Sequence, residues 1–178
     1  MINATRIFIC LLSALLLGGT ATGQRRQNVV VFPFAAGEDQ TWLSTATAHA
    51  LSAKLDRTGQ LRPLDREELA KLGRSINVDI RKAGELPLPA INRIGHWLNT
   101  DLLIIGRVGR THDRDRAREL IGSVLVSKNA PEGSEIWLAA RLYGYPGGTS
   151  LGSAFVEGSE SGLFDLFDGL PLQILDRL

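Results

Sequence analysis

The chain has 178 residues, 44% of them hydrophobic and 22% charged, and its 20 Lys+Arg against 19 Asp+Glu leave a formal net charge of +1. So even a balance excludes the basic excess that holds a domain to nucleic acid or to an anionic membrane surface. A single cysteine, Cys10, excludes an internal disulfide and a thiolate zinc site.

Arg6, the apolar run over residues 7–17 and the small residues Ala21-Thr22-Gly23 follow the order of a secretory signal peptide, predicted over residues 1–23 with cleavage after Gly23. The run is shorter than the roughly 20 apolar residues that span a bilayer, so no transmembrane span is expected in the mature chain. Arg25-Arg26 follows the run, the wrong side for a twin-arginine signal. Cys10 is preceded by the bulky pair Phe8-Ile9, where a lipidated cysteine follows a small residue, so lipidation is not expected. Removing 23 of 178 residues leaves 155, enough for one ordinary domain over 24–178 with a core of its own. It also removes Arg6 and the only thiol, so Lys+Arg falls to 19 against 19 Asp+Glu.

The mature chain opens on Val29, Val30, Val31 and Phe32, a continuous β-branched and apolar run that reads as a strand covered on both faces. Pro33 has no N–H to donate and is expected to end its pairing. Asp39 or Thr41 is a candidate N-cap for a helix with Leu43, Thr47, Leu51 and Leu55 at helical spacing, stopped by Thr58-Gly59-Gln60. Leu61-Arg62-Pro63-Leu64 reads as a short edge strand, and Asp65 with Glu68 as a capping box for a helix ended by Gly73. Residues 74–89 carry Gly84, Pro87 and Pro89 and read as a connector. From Ala90 the helical period returns in Ile91, Ile94 and Leu98, with Gly95 allowing close approach, and Asn99-Thr100-Asp101 turns the chain into a second long apolar strand over residues 102–108. Residues 118–128, 135–145 and 150–157 then read as strands without intervening helices, hence an antiparallel meander. Ile136, Leu138, Ala140 and Leu142 should face one side of it, Trp137, Ala139, Arg141 and Tyr143 the other. Pro146-Gly147-Gly148-Thr149 is a turn. Ser159 or Ser161 should cap a final apolar helix interrupted at Gly169-Leu170-Pro171. The expected fold is α/β with a mixed sheet, β-α-β-α-(α)-β followed by the meander and a C-terminal helix.

The Val-Val-Val-Phe-Pro-Phe strand, the Leu61-Arg62-Pro63-Leu64-Asp65 strand-to-cap, and the phrase Leu98-Asn99-Thr100-Asp101 running into Leu102-Leu103-Ile104-Ile105-Gly106-Arg107-Val108 resemble the TolB amino-terminal-domain superfamily. There a helix ends in a phrase of the type Leu-Gly-Ala-Asp before an apolar strand and Gly-x-Val; Asn99 and Thr100 stand here for the usual Gly and Ala. The hairpin over residues 140–152 is also similar to that family's strand, Gly-containing turn and strand. The resemblance covers residues 28–178. Its relatives include the flagellar protein FlgO, the curli-secretion channel subunit and lipoprotein activators of penicillin-binding proteins. It implies a mixed α/β domain used for assembly or partner contact in the bacterial envelope, with no common catalytic residues. The chain departs from it in lacking a lipobox and in lacking extra alternating strands to line a channel.

Catalytic constellations are not found. His49, His96 and His112 fall on separate elements, so no metal site is assigned. Ser44 and Ser52 lack a Gly-x-Ser-x-Gly context, and no Gly-rich phosphate loop opens a helix after a strand, so no catalytic or cofactor-binding residue is assigned. Residues 107–119 are the most charged stretch, but acids are interleaved and no aromatic residue is available to stack a base. They read as a solvated hairpin turn with local ion pairs, and no nucleic-acid partner is expected. Trp42, at a helix start beside Gly37, is the tryptophan expected to be exposed. Leu163, Phe164, Leu166, Phe167 and Leu170 spread over more than one face of the last helix. Trp42, Phe164 and Phe167 therefore form the candidate partner surface. The expected function is non-enzymatic: an exported, periplasmic or outer-membrane-associated domain binding envelope proteins or itself through edge strands or apolar helix faces. The alternative is a small-ligand or peptide sensor, with its cleft at the carboxyl ends of the two apolar strands.

Overall fold

The structure, a computed structural model, describes residues 25–75, 79–122, 126 and 131–178. The predicted signal peptide lies outside them. Five strands form one sheet in the order β2-β1-β3-β4-β5: β1 (Gln27–Val31), β2 (Leu61–Pro63), β3 (Leu102–Arg110), β4 (Ile136–Gly144) and β5 (Thr149–Gly158). β1 is parallel to both β2 and β3, with Val29 opposite Leu102, whereas β3, β4 and β5 form the antiparallel meander. α1 (Thr41–Arg57) and α5 (Leu163–Leu175) cover one face; α2 (Arg66–Ser75), α3 (Leu88–Leu98) and α4 (Arg114–Ile121) cover the other.

This two-sided cover explains the unbroken apolar run of β1. Val29 and Val31 meet Leu43, Leu51 and Leu55 of α1, while Val30 and Phe32 meet Leu69 of α2 and Ile91 and Ile94 of α3. Burying each such side chain contributes about 2 kcal/mol. β4 divides in the same way, Ile136, Leu138, Ala140 and Leu142 toward α1 and α5, Trp137, Ala139 and Tyr143 toward the opposite face. Asp101 sets the register at the start of β3: its carboxylate accepts from the Asn28 N–H at 2.8 Å, and its own N–H donates to the Asn28 carbonyl at 3.0 Å. Gly95 lets α3 close on the hairpin. A Cβ there would stand 2.2 Å from the Tyr145 ring, whose hydroxyl lies 3.3 Å from the Ile91 carbonyl.

Several local expectations are corrected. β1 ends before Pro33, yet pairing resumes beyond it, where the Ala35 N–H donates to the Gly106 carbonyl and the Val108 N–H to the Ala35 carbonyl. Neither Asp39 nor Thr41 caps α1; a 3-10 turn over Glu38–Gln40 feeds the helix and places Gln40 at the N-cap without a side-chain bond. α2 passes through Gly73 to Ser75, and α3 starts at Leu88 because Pro89 falls in its first turn, where no N–H is needed. The strand expected over residues 118–128 is helical as far as Ile121, and residues 123–125 and 127–130 lie outside the described ones. Arg114, Ala117 and Ile121 recur at helical spacing and are buried together, which outweighs the charged alternation around them. α5 runs unbroken through Pro171, since Leu166, Leu170, Pro171 and Ile174 all seat in the core; their burial offsets the roughly 3 kcal/mol of an interior proline.

At the outer edge of the sheet, the side-chain amide of Gln173 on α5 meets the backbone of Phe155 on β5. Its Oε1 accepts from the Phe155 N–H at 2.9 Å and its Nε2 donates to the Phe155 carbonyl at 3.0 Å.

Candidate functional site

The chain leaves β1 toward α1 on one face of the sheet and leaves β3, through a 3-10 turn over Thr111–Asp113, toward α4 on the other. Adjacent parallel strands whose continuations part in this way leave a crevice at their carboxyl ends. A cavity of about 350 Å³ lies there, walled by Ala35, Gly37 and Gln40 after β1 and by Arg107, Arg110 and Arg116 along β3 and α4. Trp137 is part of its lining. The indole Nε1 donates to the Arg110 carbonyl at 2.7 Å, and a Cβ on Gly109 would fall 2.4 Å from the ring. Gly109 is thus what allows the tryptophan to lie flat against β3.

The stretch expected to be a solvated hairpin turn is the end of β3, the 3-10 turn and α4. Arg107 on β3 pairs with Glu119 on α4 at 3.5 Å, His112 lies 3.6 Å from Asp113 within the turn, and Arg118 pairs with Asp115 within α4. Arg110 reaches Glu160, beyond β5, at 3.1 Å. Beside the crevice, Arg114 and Glu157 form a buried pair, with Nη2 at 2.8 Å from the carboxylate. Arg114 Nε and Nη1 have no hydrogen-bond partner among the described residues. Burial raises the Glu157 pKa above its ordinary value, and the Arg114 charge only partly opposes this.

The candidate partner surface divides between two helices. Trp42, on the first turn of α1, is 55% exposed. Phe164, on the first turn of α5, is 81% exposed, and its ring meets that of Phe167 edge-on at 6.4 Å; Phe167 itself is half-buried against the core. Leu172, two turns along α5 from Phe164, is 63% exposed. Sequence reasoning passed over Trp97 on α3, which is 60% exposed. The signal was present, because Arg93 lies four residues earlier and shares its solvent-facing side. Trp137 is buried.

His49 lies on α1, His96 on α3 and His112 in the turn after β3. Among the described residues, no group of three or more His, Cys, Asp or Glu is placed to hold a metal ion, and no helix is long and apolar enough to cross a membrane.

No family model matches the chain, and no curated protein matches its sequence. Solved structures do match it. The C-terminal domain of LpoB from Escherichia coli superposes with a TM-score of 0.50 at 10% identity, covering 84% of this chain and 94% of that one. The same domain from Salmonella enterica gives 0.49 at 10% identity, over 85% and 94% of the two chains. Lipoprotein GNA1162 from Neisseria meningitidis gives 0.48 at 14% identity, over 84% and 96%. At 10% identity the likeness to the Escherichia coli domain is one of fold.

Proposed function

We propose that the chain is an exported TolB amino-terminal-domain-like module, a leader over residues 1–23 followed by one domain over 24–178, which binds another protein of the bacterial envelope without catalysing a reaction. One observation carries the reading: the outward side of α5 presents Phe164 and Leu172 to solvent although neither is needed by the core. Large apolar side chains aligned on one helix face mark a surface that another molecule covers. The fold shared with the LpoB C-terminal domain is consistent with it, as is the leader-like amino terminus. Of the two contact modes expected, edge strands and apolar helix faces, the second is favoured. β2 is only three residues long and contains Pro63, and β5 is occupied at its middle by Gln173.

Photo-crosslinking in intact cells tests this, with a benzoylphenylalanine placed at position 164, at 172 or at the exposed control position 67. Adducts of defined size at 164 and 172 and none at 67 are the expected result. Equal or absent adducts at all three positions would remove the reading. Light scattering of the purified domain over a concentration series separates self-association from a different partner.

A further inference from the structure

The crevice at the carboxyl ends of β1 and β3 is distinct from the α5 surface and contains groups that the fold itself leaves unused. Gln40 is 4% exposed and lines the cavity. Arg107 and Arg110 each engage one carboxylate through a single nitrogen, leaving donors of both guanidinium forks free. Arg116 on the same wall has no ion pair among the described residues.

The charge of the wall decides what kind of ligand fits. Asp39 and Glu85 also line the cavity without ion pairs among the described residues, whereas Glu119 is engaged by Arg107. Taken together the lining holds four acids, Asp39, Glu85, Asp113 and Glu119, and three guanidinium groups, so a simple anion and a simple cation would each meet like charge. A molecule carrying both a carboxylate and an ammonium satisfies each set. At about 350 Å³ the cavity is at the small end of the roughly 300–1,000 Å³ typical of ligand sites. We propose that this crevice binds a small dipolar ligand, a free amino acid or a dipeptide with both ends free. Its carboxylate is taken by Arg116 and the free donors of Arg107 and Arg110, its ammonium by Asp39 and Glu85, and its backbone amide by Gln40.

Isothermal titration of the mature chain with a panel of free-ended dipeptides (Ala-Ala, Ala-Glu, Ala-Lys and Gly-Phe) tests the proposal. N-acetylated and C-amidated forms of each, together with inorganic phosphate, serve as comparison probes. At least one free-ended dipeptide is expected to bind, with either blocked form and phosphate weaker by about tenfold or more. Arg116→Ala, at an exposed position that leaves folding intact, should weaken the same dipeptide by a similar factor, while Glu67→Ala should leave it unchanged. No heat from any free-ended probe, blocked forms binding as tightly as free ones, phosphate binding as tightly as a dipeptide, or indifference to Arg116→Ala would each overturn it. Crosslinking at position 164 is read independently, so failure here and failure of the partner reading are distinguishable.

Discussion

The two halves of the sheet expose different chemistry. The parallel half, β2, β1 and β3, ends in a polar crevice where adjacent strands send the chain to opposite faces. The antiparallel half, β4 and β5 with α5, exposes an apolar helix face and has its edge occupied by a glutamine. Parallel strands need long crossovers, and the place where crossovers diverge opens a cavity; tight hairpins make no such cavity and leave their variety to the helix laid across them. In one chain, recognition of small polar molecules and recognition of protein surfaces are therefore expected at opposite ends of the topology.

The largest effect should come from Phe34→Ala, in the loop that roofs the parallel half. The Phe34 ring fills the space where Gly106 has no Cβ, and its loss should lower unfolding free energy by about 4 kcal/mol in urea melts. A loss near zero would mean that this end of the parallel half is not a packed part of the core.

Next comes the Arg114–Glu157 pair, which ties α4 to β5 and so joins the halves. Arg114→Met alone leaves a buried carboxylate unpaired and should destabilise by about 3 kcal/mol, whereas Arg114→Met with Glu157→Leu should be neutral or more stable than wild type. The pH dependence has a defined sign. With its folded pKa raised above the usual 4.5, Glu157 gives its full contribution below that value and loses it as pH rises through the folded one. The stability of wild type relative to Glu157→Gln should thus improve as pH falls from neutrality toward the ordinary glutamate range, and the opposite slope in melts at several pH values would refute the assignment.

Smaller still, Gln173→Ala should cost about 1 kcal/mol, the worth of an exposed pair of hydrogen bonds. Phe164→Ala should change stability by less than about 0.5 kcal/mol while abolishing crosslinks made through α5, the separation of folding from binding that the comparison requires.

What was legible in the sequence follows the range of the forces involved. Val29 to Phe32 and Leu102 to Ile105 announced two-sided burial because every position is apolar, and Gly95 announced close approach because a helix interior disfavours glycine without a reason. α4 was hidden because the partner that makes Arg114 a buried residue is Glu157, 43 positions away. Pro171 misled because the packing that overrides it is tertiary. The crevice location was readable from strand order, but Gln40 was not, since nothing local marks a glutamine that the fold will bury at the cavity wall.

The amide of Gln173 reproduces, in one side chain, the donor and acceptor that a neighbouring strand would offer to Phe155. During synthesis β5 emerges before α5 does, so there is an interval in which the meander is complete and its outer edge is bare. A chain halted or cut between residues 158 and 163 would keep that edge open permanently. Such a truncated form should pair strand to strand with its own kind, as exposed long edges do, whereas the intact chain resists it. The helix that carries Gln173 thus makes the order in which the chain is built matter to whether its copies stay apart.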